Sequence, residues 1–246
     1  MITERFVPTH EEQLIQKFLA TPALSKNPKN TGHDVVFREV DCNQGRADVV
    51  RATFSDPPSR TEAAALAQVL SLPSSAAVLA FLQAAPRSIS YLAQTTGLSE
   101  RVIRQRLAEL QGIGLVDSPR PALFRRTDKV ARIAAVDIWS FEAKMDKWQR
   151  ALYQAVQYRG FSHRTTVVLP AARARPALGC LERFRGFGVG LVVVGDREES
   201  RVVLRAPRAK PFSKTLFFLA LGRAYEALSL DTRKRAKARN RVRPVG

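Results

Sequence analysis

The stretch Ile133-Ala-Ala-Val-Asp-Ile-Trp-Ser-Phe-Glu142-Ala-Lys144 runs directly into Met145-Asp-Lys-Trp-Gln-Arg150-Ala-Leu-Tyr-Gln154-Ala-Val-Gln-Tyr158. Its first part is short, mostly apolar and rich in β-branched and aromatic residues, which predicts a buried strand. Side chains two apart share a strand face, so Glu142 and Lys144 project together from its end. Asp146 is placed to cap a helix that runs to about Tyr158, with Gly160 as its stop. On that helix Arg150, Gln154 and Tyr158 recur at every fourth position and stack on one stripe. A carboxylate, an amine, an amide and a phenol are thereby aimed at one place.

Upstream, two strands are predicted from Asp34 to about Val40 and from Arg46 to about Phe54, with Asp41-Cys-Asn-Gln-Gly45 as a hairpin turn between them. Gly45-Arg-Ala-Asp48-Val-Val sets one acid inside an otherwise apolar run. An ionised carboxylate there is costly unless it is paired or holds a metal. The competing reading is an Asp exposed on an edge strand or paired with Arg46 or Arg51. Before these strands, a helix opens at Thr9 with Leu14, Ile15, Phe18 and Leu19 as its apolar stripe. Thr9-His-Glu-Glu12 fits a capping box, which occupies Glu12 and leaves Glu11 near the inward face. Glu11 is either an accessory acid of the site or a solvated first-turn acid favoured by the helix dipole.

The Asp48 run, the strand-borne Glu142-Ala143-Lys144 triplet and Gln154-Ala-Val-Gln-Tyr158 together resemble the PD-(D/E)XK nuclease superfamily, in its RecB-like variant with a Gln-xxx-Tyr motif. Ala47 stands where the name-giving proline of that family falls. The resemblance implies an α/β fold, a restriction-endonuclease-like mixed sheet flanked by helices. It also implies that Asp48, Glu142, the Ala143 carbonyl and, as accessory acid, Glu11 hold Mg²⁺ or Mn²⁺. Lys144 then handles the attacking water, its pKa lowered by metal and burial, while Gln154 positions that water with Tyr158 as its support. Arg150 clamps the DNA backbone.

Between the two acids lies a long helical segment. Helices are expected over Thr61–Leu70, from Ser74 to about Ala84 and in the run from Ile89 that turns at Gly97. A Ser99-capped helix follows and ends at a glycine, before Arg120-Pro-Ala-Leu-Phe-Arg125-Arg126. Residues 74–128 resemble the winged helix–turn–helix of bacterial regulators, notably in Leu107, Leu110 and Gly114-Leu-Val. In that reading the recognition helix buries Ile103, Leu107 and Leu110, which turns Arg101, Arg104 and Gln105 toward a DNA groove. Arg125 and Arg126, in the wing, meet phosphate or the minor groove. The other use of such a module is protein binding or a homodimer.

The remaining chain predicts a strand at Arg164–Pro170, a helix at Ala177–Phe184, an apolar strand at Gly188–Gly195 and a turn over Asp196–Ser200. A strand from Arg201 to about Arg205 and a final helix over 214–229 follow. The basic tail from Arg233 to Arg243 reads as disordered and as a non-specific phosphate contact. Four segments result: 1–56 and 129–230 as the two parts of the nuclease core, 57–128 as the insertion, and 231–246 as the tail.

The net charge of +18 points to a polyanionic partner, DNA before membrane. No run of apolar residues reaches membrane-spanning length and no signal segment is recognisable, so a soluble cytoplasmic protein is expected. Cys42 and Cys180 are too few for a disulfide framework or zinc site and read as reduced thiols. The function these readings imply is a magnesium-dependent deoxyribonuclease of bacterial DNA repair or phage defence, with the winged helix as its DNA reader. The alternatives are a DNA-binding regulator whose nuclease-like core is inactive and an RNA-acting enzyme, against which the winged helix favours duplex DNA.

Overall fold

The structure, a computed structural model, describes residues 8–21, 32–41, 45–195 and 200–241, by backbone alone at 41 and from 232 onward. Residues 22–31, the middle of the turn expected over 41–45, most of the turn expected over 196–200, Cys42 and the tail's side chains lie outside the described residues. No helix among those described is long and apolar enough to cross a membrane by itself.

The chain is α/β. Its larger sheet uses β1 (His33–Asp41), β2 (Arg46–Phe54), β6 (Val136–Ala143), β7 (Arg164–Pro170), β8 (Gly190–Val194) and β9 (Ser200–Leu204). Their order is β1-β2-β6-β7-β8-β9; β6, β7 and β8 run parallel and β9 antiparallel to β8, so the sheet is mixed. Helices cover both faces. On one, α1 (Glu11–Leu19) lays Leu14, Ile15 and Phe18 over Val49, Phe141, Ala143, Val168 and Val192. On the other, α7 (Trp148–Tyr158) and α9 (Leu181–Phe187) bury Trp148, Ala151, Leu152, Ala155 and Phe184 against Val167, Leu169 and Leu191. The period-two alternation of the strands sorts these residues between the two layers. Gly190 is required by close approach: a Cβ there would stand 2.9 Å from the Ala206 nitrogen.

A second set of elements forms its own compact unit. It comprises α2 (Arg60–Leu70), α3 (Pro73–Phe81), the short β3 (Arg87–Ser88), α4 (Ile89–Thr96), α5 (Glu100–Gly112), β4 (Val116–Arg120), β5 (Leu123–Arg126), α6 (Lys129–Ile133) and α10 (Lys214–Arg241). β3, β5 and β4 make a three-stranded antiparallel sheet in that order. Ser88 and Ser99 cap α4 and α5 by accepting from Tyr91 N–H and Val102 N–H. Gly97, at φ 71°, makes the left-handed turn between them.

By compactness, the described residues of 1–31, 36–51 and 137–212 form one unit and those of 32–35, 52–136 and 213–246 the other. The sequence reading places 1–56 and 129–230 in one core and 57–128 in an insertion; by compactness 52–56, 129–136 and 213–230 group with the insertion, and α10 packs on α2 and α3. Local expectations change too. Ile133 ends α6, so the strand begins at Val136. His10, not Thr9, caps α1: its Nδ1 accepts from Gln13 N–H at 3.3 Å, while Thr9 N–H donates to Gln13 Oε1 at 2.9 Å. Asp146 does not cap α7, which starts from Lys147 without a side-chain cap; its carboxylate faces Arg173 at 3.4 Å. The helix expected at 177–184 is two, α8 (Arg175–Leu178) and α9, broken at Gly179 and Cys180. The last helix does not stop at 229 but continues to Arg241, in a run of Lys, Arg and Ala with no breaker.

Candidate active site

Asp48 and Glu142 stand on neighbouring strands, β2 and β6. Val49, Phe141 and Ala143 belong to the layer under α1, so the acids one position away face the α7 layer. Ala143 N–H donates to Asp48 Oδ2 at 2.8 Å, across 95 residues of sequence. Glu142 is fully buried. The Tyr158 hydroxyl lies 2.5 Å from Glu142 Oε2 and 2.9 Å from the Arg46 carbonyl oxygen. One phenolic proton cannot fully serve two acceptors. Either it is shared, or a protonated Glu142 donates to the phenol while the phenol donates to Arg46. Burial first, and then the charge of Asp48, push the Glu142 carboxyl up to about 7, against the opposing effects of Tyr158 and Lys144. Asp48 is raised as well, mainly by burial, with the Ala143 N–H and Lys144 acting against it.

Lys144 Nζ sits 3.0 Å from Glu142 Oε1 and donates to Glu11 Oε2, also at 3.0 Å. Toward Glu142 Oε1 the contact is a close ion pair that favours both charged forms. Burial alone would lower the Lys144 pKa, but Glu142, Glu11 and Asp48 outweigh it and raise it. This reverses the expected depression, which needs a metal's charge to offset the acids. Glu11 therefore reaches the site, as a partner of Lys144.

Gln154 and Tyr158 take different places from those expected. Tyr158 supports Glu142 rather than Gln154, and Gln154 Oε1 is buried with no hydrogen-bond partner among the described residues. Arg150, on the same stripe of α7, is exposed. Arg38 was not foreseen. Its guanidinium grips both oxygens of Glu12, at 2.8 and 2.5 Å, and holds that carboxyl down to about 2. Its charge also lowers Asp48. The available signal was the one that singled out Asp48, a charge inside an apolar strand (Val35-Val-Phe-Arg38-Glu-Val40).

In the other unit, α5 buries Ile103, Leu107 and Leu110 and exposes Arg101, Arg104 and Gln105. Arg104 pairs with Glu100 at 2.7 Å, and Gln105 donates to Glu109 at 3.3 Å. Arg125 is exposed and bonded to Asp117. Arg126 is not available as expected. Its guanidinium donates to the Leu79 carbonyl oxygen and, at 2.9 Å, to that of Ala80, and it lies 5.2 Å from the Phe218 ring. Those carbonyls belong to the last turn of α3, which has no intrahelical donors for them. Arg126 is a helix cap supplied from a strand. Burial accordingly lowers its pKa.

Among the described residues, no group of three or more His, Cys, Asp or Glu side chains is disposed to hold a metal ion. The acid pair nevertheless fits a hard divalent cation. The charge of Asp48 raises the pKa of the fully buried Glu142, whose carboxylate it neighbours across the strands; magnesium commonly takes only one or two carboxylates and completes its shell with water and phosphate. Comparison with family models, curated proteins and solved structures gives no match.

Proposed function

We propose that the chain is a Mg²⁺- or Mn²⁺-dependent DNA nuclease, built on a restriction-endonuclease-like core with a winged-helix module. The observation that carries this reading is the meeting of Asp48, Glu142 and Lys144 at one strand end, fastened by the Ala143 N–H to Asp48 bond. Buried acids that repel each other cost stability and serve no packing purpose, so a function is the economical explanation for them. The three-helix module with its antiparallel hairpin and exposed α5 arginines supports a DNA partner, as does the charge of +18.

In this reading Asp48, Glu142 and the Ala143 carbonyl hold the cation. When bound it supplies a water of lowered pKa and neutralises charge gathering on the phosphate. Lys144, kept as an ammonium by its acids, donates to the attacked phosphate's oxygens. Glu11 fixes where that ammonium points. Tyr158 fixes the Glu142 carboxylate, and the Gln154 amide orients water or a phosphate oxygen.

The test is incubation of a supercoiled plasmid with purified protein. Cleavage with Mg²⁺ or Mn²⁺ and none in EDTA is expected; cleavage undiminished in EDTA rejects the metal mechanism. A second reading, a DNA-binding regulator with an inactive core, is favoured by the absence of a three-ligand group among the described residues. Binding without cleavage under every divalent cation selects it.

A further inference from the structure

Two segments leave the larger sheet side by side at the carboxyl ends of β6 and β7. The parallel register sets Ala143 beside Val168. The chain following each strand therefore emerges together, and Arg173 Nη1 meets Asp146 Oδ2 at 3.4 Å. Lys147 and Arg150 on the first segment and Arg173 and Arg175 on the second are all exposed. Asp146 is the one acid within 144–150 and 171–175.

Little in the fold favours these cations where they stand. Lys147 and Arg150 begin α7, where the helix dipole disfavours positive charge. The Arg173–Asp146 pair is half-exposed and weakly stabilising. Like charges carried on two adjoining segments with one acid between them repel each other unless an anion joins them. Guanidinium suits phosphate in particular, through two parallel hydrogen bonds. No large apolar side chain is exposed on these two segments, so a lipid surface finds nothing to insert against.

We propose that Lys147, Arg173 and Arg175, with Arg150, form a rim that binds the DNA backbone phosphates flanking the bond at the acid pair. This rests on the nuclease reading for the identity of the bond, though not for the binding itself. The rim begins in the same loop as Lys144, so a strand lying along it passes the reacting end of β6.

The experiment measures affinity of the full chain for a short DNA duplex over a series of salt concentrations in EDTA, where cleavage is silent. K147A/R173A/R175A is expected to flatten the slope of log affinity against log salt by about 2–3, roughly 0.9 for each lost phosphate contact. K147R/R173K/R175K, which keeps the charges, should hold the original slope. R60A/R132A/R223A removes three exposed cations from the other unit and should flatten it by less than about 1. An unchanged slope in the first variant overturns the rim, as does an equal loss in the last variant or a loss in the charge-keeping one. Failure of the nuclease reading shows differently: the wild type then binds DNA with the rim's salt dependence and cuts nothing with Mg²⁺ or Mn²⁺.

Discussion

The end of β6 and the outer face of α5 handle charge in opposite ways. At β6 the acids are drawn in: Glu142 is fully buried, Asp48 is half-buried, and Lys144 is held between Glu142 and Glu11. On α5 an apolar stripe is buried and Arg101, Arg104 and Gln105 are left to solvent. Buried charge perturbs pKa values and stores unfavourable energy that a cation or substrate can release. Exposed charge does neither, and contributes long-range attraction and contacts that salt screens. On the proposed nuclease reading, the first region would carry the chemistry and the second the recognition.

The largest expected effect tests the first half of that contrast. Lys144→Ala or Asp48→Ala should lower the cleavage rate at least about a hundredfold, while affinity for DNA in EDTA changes little. A Lys144→Ala protein that keeps most of its rate removes β6 from the chemistry. Next comes the exposed face. Replacing Arg101, Arg104 and Gln105 with Ala should reduce discrimination between preferred and other duplexes by about 1–3 kcal/mol per lost base contact, at nearly constant salt slope. Equal binding of every duplex before and after substitution makes α5 a protein-docking or dimerisation surface instead.

Two neighbours in β5 sharpen the comparison within one hairpin. Arg126→Ala strips donors from the Leu79 and Ala80 carbonyls and should cost about 1–3 kcal/mol in urea unfolding. Arg125→Ala, at an exposed ion pair, should leave the midpoint where it was. Equal midpoints for the two variants contradict the capping role of Arg126.

A smaller effect follows from the sign of the Glu142 shift. Its folded pKa, about 7, lies above the ordinary 4.5. Its contribution is therefore fully present below about 4.5 and is lost as pH rises through about 7. Glu142→Gln carries no charge at any pH. Its melting temperature should gain on the wild type as pH rises from 5 to about 7, with little further gain by pH 8. A difference that is flat with pH places the titration elsewhere.

Most of the larger sheet was legible from local pattern. β2 and β7 are bounded where their apolar runs begin and end, and α5 follows the spacing of Ile103, Leu107 and Leu110. What escaped was non-local. Glu12 looked like a capping-box residue because its true partner, Arg38, is 26 residues away. Asp146 looked like a helix cap because Arg173 lies 27 residues on. Arg126 looked free because its acceptors lie 46 and 47 residues upstream. A polar side chain's nearest sequence motif predicts its partner poorly when a strand crossing brings a better one. α6 was missed for another reason, since five residues cannot display a helical period. At the site, the types Asp48, Glu142 and Lys144 were readable, whereas the bond from Tyr158 to Glu142 depended on how α7 crosses the sheet.

On the proposed reading the acid pair is a divalent-cation site. Calorimetric titration of Mn²⁺ into the full chain at pH 8, without DNA, tests it most directly. Saturable binding is expected in the wild type, and its loss in Asp48→Asn and Glu142→Gln. Saturable binding that survives both substitutions, or none in the wild type, contradicts the account.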